Sequence, residues 1–320
     1  AGQREEVADG ERVADAGWQI PCLHPGNVGK TLHGGTVRGA ASVHRIMRVP
    51  AAFSTAVRPV LSGPVQRAEW LGASPSALYL ITRSGAVLAI VTHDAVRLPC
   101  AMVLGRTAAE LPLTELSPDP AQRLAVAASV GAGRIEWTGP TGVVTVAGVR
   151  EWAPSVVAVG AALPSALAAL STAVAGHDIG VEADRVARLA DAGNEAAQFA
   201  AAADLLGRGP GLTPSGDDVV AGFLLGARAF GHAAPGGTAA VRELAAGATT
   251  ALSAQLLRHA VLGECVAQAA AVAAVLIGRR APDDAVDQLL AVGHTSGAAL
   301  AAGLLCAAAL SVPAAVGGAG

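Results

Sequence analysis

Ser215-Gly216-Asp217-Asp218-Val219-Val220-Ala221-Gly222-Phe223-Leu224 is the stretch of this 320-residue chain that decides its fold. It reads as the opening of a helix. Ser215 stands where an N-cap belongs, Asp218 falls at the capping-box position with Asp217 beside it, and an apolar run follows. The pattern returns as Ser296-Gly297-Ala298-Ala299-Leu300-Ala301-Ala302-Gly303-Leu304-Leu305. Each copy opens with Ser-Gly and sets a second glycine six residues on, inside the helix. A mid-helix glycine costs about 1 kcal/mol against alanine, a cost that close approach of two helices offsets. The two segments are therefore expected to pack on each other, with both Ser-Gly starts at one end.

Helical periodicity extends on either side, over Leu163–Ala175, Val181–Ala192, Glu195–Leu206, Asp217–Phe230, Ala239–His259, Glu264–Ile277, Asp283–Val292 and Gly297–Leu310. Before residue 150 strand signals dominate instead. Val65–Trp70, Ala77–Thr82 and Ala86–Thr92 are rich in Val, Ile, Leu and aromatics, with Arg83-Ser84-Gly85 as a hairpin turn; Arg134–Thr138 and Val143–Val146 flank the turn signal Gly139-Pro140-Thr141-Gly142. Leu116–Ala128 reads as a helix between them. The expectation is an α+β protein: a polar N-terminus over 1–17 without order, a β-rich domain over 18–153 built as a small sandwich or barrel, an all-helical domain over 154–312, and a flexible tail over 313–320.

Composition narrows the function classes. The formal net charge of −3, with no long run of one sign, argues against a nucleic-acid partner. The four cysteines, Cys22, Cys100, Cys265 and Cys306, are far apart, which disfavours a disulfide framework or a zinc site. Val156–Ala175, Cys265–Ile277 and Ala298–Ala315 are apolar, but owe this to Ala and Gly and read as core helices rather than membrane spans. The polar first residues lack the apolar core of a signal peptide, which places the expectation in the cytoplasm.

The chemistry is expected in Gly207-Arg208-Gly209-Pro210-Gly211-Leu212-Thr213-Pro214-Ser215-Gly216-Asp217-Asp218. Glycines 209, 211 and 216 let amides turn towards a ligand, prolines 210 and 214 stiffen the loop, and the helix start favours an anion. Two carboxylates in the first turn would repel a bare anion. They fit if one caps the helix while the other orients a substrate amide or holds a divalent cation that bridges to phosphate. Standard motifs fail. Gly29-Lys30-Thr31 ends like a P-loop, but His24 occupies the place of its first glycine, and a nucleophile elbow around Ser215 would need glycine where Thr213 stands.

The run Gly209–Asp218 with Ala221-Gly222 resembles the signature of the family that includes the AllH subunit of oxamate carbamoyltransferase. Thr249-Thr250-Ala251-Leu252-Ser253 with Leu256-Leu257-Arg258-His259-Ala260 and Gly263-Glu264 resembles a further family helix, and Gly293-His294-Thr295-Ser296-Gly297 its last motif. The resemblance runs from about Gly63 to Leu310 and is strong from Leu205. It departs from the family at Ala298-Ala299, where an acidic residue is expected after Ser-Gly. The resemblance implies conversion of oxalurate and phosphate, as co-substrate, into oxamate and carbamoyl phosphate during breakdown of purine-derived ureido acids. It also implies partner subunits, including an acyl-CoA-synthetase-like one.

Under this reading Asp217, Asp218, Ser215 and Thr213 are the catalytic candidates. Gly209, Gly211, Gly216, His294, Thr295, Ser296, Gly297, Thr249, Ser253 and Arg258 are candidates for holding a small anionic substrate. Thr249 and Ser253 share a helix face by spacing, whereas Arg258 and His259 point to different faces. Trp18, Trp70, Trp137 and Trp152 read as anchors of the N-terminal half. A non-catalytic metabolite- or partner-binding module and a stand-alone amidohydrolase using Ser215 remain as alternatives.

Overall fold

The computed structural model describes residues 45–310 apart from Leu124, Pro235 and Ala309. The expected unordered N-terminus, the first part of the β-rich domain with Trp18, Cys22 and Gly29–Thr31, and the tail over 313–320 lie outside the described residues.

Eight strands close a barrel: β1 (Arg45–Ser54), β2 (Gln66–Ala73), β3 (Ala77–Thr82), β4 (Val87–Val91), β5 (Ala101–Leu104), β6 (Ala128–Gly131), β7 (Arg134–Gly139) and β8 (Gly142–Trp152), in the order β1-β5-β4-β3-β2-β6-β7-β8. A short helix, α1 (Arg58–Leu61), follows β1. Of the two architectures expected, the barrel is the one formed. Closure leaves no open edge, because β1 pairs along its length with β8 in parallel. The two hairpins read from sequence are present: β3 pairs antiparallel with β4 around a turn where Gly85 takes φ +79°, and β7 with β8 through Gly139–Gly142. Leu78 and Leu80 point into the barrel and are fully buried, while Tyr79 and Ile81 point outward and are only partly covered.

Leu116–Ala128 is not a helix; β6 begins only at Ala128. Pro118 and Pro120 interrupt it, and two tryptophan side chains take its carbonyls: Trp137 Nε1 donates to Leu116 O at 2.7 Å and Trp70 Nε1 to Val126 O at 2.8 Å. The two rings meet edge to face with centroids 5.5 Å apart.

The rest of the chain is helical: α2 (Pro164–Val174), α3 (Ala183–Asp191), α4 (Glu195–Leu205), α5 (Ser215–Ala229), α6 (Gly237–Ala248), α7 (Ala251–Val261), α8 (Ala267–Leu276), α9 (Ala285–Leu290) and α10 (Ser296–Ala308). It is not all-helical, because β9 (Ser155–Val156) pairs antiparallel with β10 (Glu264–Cys265). The periodic run Ala239–His259 is two helices, not one. Thr249 is extended, and the Thr250 hydroxyl caps α7 by accepting from Ser253 N at 3.1 Å. Among the described residues no helix is long and apolar enough to cross a membrane.

α5 forms the centre of the helical core; of its residues only Arg228 escapes burial. It lies directly on α10. A Cβ on Gly222 would collide with the Leu300 carbonyl, and one on Gly303 with the Val219 carbonyl, so the two backbones touch through the two repeated glycines. The helical part is fastened to the barrel by α7, whose Leu252 is buried in the barrel's own apolar cluster alongside the partly buried Ala251 and Leu256. That covering explains why every residue of β4 is buried rather than every second one.

Gly222→Ala and Gly303→Ala are each expected to destabilise the protein by about 1–3 kcal/mol through overpacking, although alanine is the better helix former. Gly247→Ala, at an exposed α6 position where a Cβ meets open space, should instead gain up to about 1 kcal/mol. Urea denaturation of the three variants checks the contrast, and equal effects at all three sites would refute the backbone contact.

Candidate functional site

The α5–α10 contact brings both Ser-Gly starts to one end, as the sequence echo implies. Ser215 Oγ lies 2.8 Å from Thr295 Oγ1, and Ser296 hydrogen-bonds the Asp218 carboxyl. Glycines 216 and 297 do the same work at the two starts. A Cβ on Gly216 would strike the Leu205 carbonyl at the end of α4, and one on Gly297 the Leu289 carbonyl at the end of α9. These glycines thus allow close chain crossing.

Ser215 is not the N-cap. It is the first residue of α5, Pro214 occupies the cap, and no side chain caps the helix. The amides of Asp217 and Asp218 both donate to Pro214 O, at 2.9 and 3.3 Å, and the Gly216 amide donates to Arg208 O at 2.9 Å. Three amides expected to cradle an anion are therefore engaged within the chain. Ser215 itself is buried, and a Cβ on Gly180 would run into its hydroxyl, so the α2–α3 connection closes over it. That removes the access a serine nucleophile needs. Gly209 and Gly211 lie on the exposed loop with φ +111° and +88°, and His294 is exposed.

The adjacent carboxylates face opposite surroundings. Asp217 is knitted into the protein: Oδ1 accepts from the Gly207 amide at 2.7 Å, Oδ2 accepts from the Thr249 hydroxyl, and Ser253 also donates to the carboxyl. Thr249 and Ser253 thus converge on one carboxylate, though the break between α6 and α7 sets them on different elements rather than on one helix face. Burial raises the Asp217 carboxyl above its ordinary value, and these three donors oppose that rise. Asp218 is 8% exposed, and its Oδ2 has no hydrogen-bond partner among the described residues. Burial pushes its carboxyl up to about 7, partly opposed by the Ser296 bond and reinforced by the charge of Asp217.

Asp218 opens onto a cavity of about 200 Å³ between barrel and helices. The barrel side contributes Tyr79, Val96, Leu98 and Pro99; α7 contributes Leu252, Leu256 and Ala260; Thr213, Ser296 and Glu264 are the other polar lining groups. Among the described residues no Lys or Arg lines it. Of the candidates chosen from sequence, Thr213, Asp218 and Ser296 line the cavity, whereas Gly209, Gly211, Gly216, Gly297, His294, Thr295, Thr249, Ser253, Asp217, Ser215 and Arg258 do not. Arg258 and His259, expected on different faces of their helix, open together onto another cleft. Tyr79 was not among the candidates chosen from sequence, where it appears only within the strand Ala77–Thr82, and its place in the cavity wall has no local signal. Among the described residues no group of three or more His, Cys, Asp or Glu is placed to hold a metal ion.

A closed barrel docked on a helical core, with the Asp218 and Glu264 carboxyls and the hydroxyls of Tyr79, Thr213 and Ser296 lining one small, largely apolar cavity, has the form of a small-metabolite site. Residues 205–308 match the family model described as oxamate carbamoyltransferase subunit AllH, so the helical segment that supplies Asp217, Asp218 and Ser296 is AllH-like. No solved structure matches the chain.

Asp217→Ala is expected to destabilise the protein by about 2–4 kcal/mol, since it strands three donors; Asp217→Asn, which keeps an acceptor for the Gly207 amide, should cost clearly less. Denaturant midpoints compare the pair. Asp218→Asn should behave in the opposite way. The folded carboxyl holds its proton more tightly than the unfolded one, so wild-type stability falls as pH rises from about 4 to about 7. The variant should therefore be more stable than wild type at pH 8, by at most about 4 kcal/mol, and indistinguishable from it at pH 3.5. Thermal melts across that range give the answer; an unchanged difference at all pH values would contradict the raised value.

Proposed function

We propose that the protein is a subunit of a carbamoyltransferase-type complex, cytoplasmic and working in purine-derived nitrogen catabolism, that takes oxalurate and phosphate to oxamate and carbamoyl phosphate. The observation that carries the reading is Asp218: an unpartnered carboxyl oxygen, poised near neutrality, in an apolar cavity beside Thr213 and Ser296. The family match supports the same assignment at the level of a subunit.

A largely apolar pocket in which Glu264 is engaged by His259 and Asp218 keeps an unpartnered oxygen suits the uncharged carbamoyl end of a ureido acid. Its N–H groups donate to Asp218, and its carbonyl accepts from the Thr213 hydroxyl. In the transfer, a phosphate oxygen forms a bond to the carbamoyl carbon and the bond from that carbon to the oxamate nitrogen breaks. Asp218, protonated, delivers its proton to the departing nitrogen and recovers one from hydrogenphosphate, so the balance closes without net acid or base. Thr213 donates to the carbonyl oxygen as negative charge develops there, while Ser296, hydrogen-bonded to Asp218, positions the acid. No step is routed through a metal. With no cation among the described lining residues, the phosphate charge is met elsewhere, and a partner subunit such as the acyl-CoA-synthetase-like one supplies that need.

The same lack of cations favours a second reading, a non-catalytic module that binds the metabolite or a partner while chemistry proceeds on another chain. Assay with oxalurate and phosphate separates the two, first with this chain alone and then with its partners added. Asp218→Asn in the assembled complex should lower turnover by roughly 10²-fold or more while the fold is retained. Full turnover by that variant would eliminate the catalytic reading, and ligand binding that persists in it without any effect on rate would support the module.

A further inference from the structure

α7 separates the acidic cavity from a recess of opposite character. The β3–β4 turn, Ser84–Ala86, faces Arg242 on α6 and Gln255, Arg258 and His259 on α7 around a cleft of about 310 Å³. Among the described residues no carboxylate lines this cleft. Among the described residues neither Arg242 nor Arg258 makes an ion pair. Burial first, and then the neighbouring charge of Arg242, hold Arg258 below its ordinary value; both guanidinium groups line this one cleft with no carboxylate among its described lining residues.

The polar groups beneath them are already oriented. Arg258 Nη2 donates to Gln255 Oε1 at 3.2 Å, which turns the amide so that Gln255 Nε2 donates to His259 Nε2 at 2.9 Å. His259 then carries its proton on Nδ1 and donates to Glu264 Oε2 at 2.6 Å. The remaining N–H of that amide and the two guanidinium groups leave the cleft rich in donors. A single planar carboxylate is satisfied by one guanidinium fork. Two arginines approaching from different helices suit a tetrahedral oxyanion, which offers acceptors in several directions.

We propose that this cleft is a second binding site, for a small phosphate-type oxyanion, separate from the cavity over Asp218. The inference stands independently of the carbamoyl-transfer reading. Calorimetric titration of the full chain with inorganic phosphate, at ionic strength held constant with chloride, tests it. Saturable binding is expected, weakened roughly tenfold or more in both Arg258→Gln and Arg242→Gln, and unchanged in Asp218→Asn. Arg242 is exposed, so its variant keeps the test valid should Arg258→Gln fold poorly. No saturation beyond the chloride control, or binding that survives both arginine substitutions, would overturn the proposal. So would loss of binding in Asp218→Asn, which would move the anion to the cavity, or acetate competing as well as phosphate.

Discussion

Backbone contact between α5 and α10 through Gly222 and Gly303 is the constraint on which the site depends. Helices that carry side chains at their crossing stand roughly 8–10 Å apart. With glycine on both sides, the carbonyls of Val219 and Leu300 take the space a Cβ would need, and the axes approach more closely. The glycines weaken each helix on its own, by about 1 kcal/mol per residue, and packing offsets that loss only if the crossing is the native one. The register is thereby set. With the crossing fixed six residues beyond each Ser-Gly start, both helix beginnings must fall together, and Ser296 reaches the carboxyl of Asp218.

From that register follows the division between two neighbouring carboxylates. Consecutive residues on a helix point about 100° apart. Asp217 is thereby directed towards the turn at Gly207 and the α6–α7 junction, where three donors meet it, while Asp218 is directed to the cavity, where one hydroxyl does. Burial acts on both. What differs is how much hydrogen bonding opposes it. The better-bonded residue is the structural one, holding the loop before α5 to the start of α7, and the poorly satisfied one is chemically available.

The sequence exposed some of this and hid the rest for identifiable reasons. The β3–β4 and β7–β8 hairpins were legible because turn chemistry is local. The α5–α10 pairing was legible because the glycine spacing appears twice. β1, β5 and β6 gave no comparable signal. β5 is four residues long, and β1 owes its place to pairing with β8 about a hundred residues away. Leu116–Ala128 has enough apolar residues to look helical, but the tryptophans that take its carbonyls lie in β2 and β7. The site was legible as a region and not as an arrangement. Local reasoning made Ser215 a cap, yet the residue that decides its role is Thr295, 80 positions away. Nothing local distinguishes Asp217 from Asp218, since both are acidic residues in one first turn.

The electrostatic layout belongs to this last, non-local kind. On α7, Leu252, Leu256 and Ala260 face the cavity, while Gln255, Arg258 and His259 face the cleft. Both stripes follow from helical geometry, but which stripe meets which chemistry is settled by where the helix docks. Leu252, buried in the barrel cluster, fixes the rotation of α7 about its axis. Turned that way, the helix keeps Arg258 on the far side from Asp218, so its charge does not stabilise the ionised carboxyl. Had Arg258 faced the cavity, a cation a few ångströms from Asp218 would have lowered its carboxyl and fixed it in the charged form. Segregating the cations across one helix is what lets a buried aspartate exchange a proton near neutral pH. The same segregation leaves anion recognition and proton handling on opposite sides of a single wall, joined by the His259–Glu264 hydrogen bond that crosses from cleft to cavity.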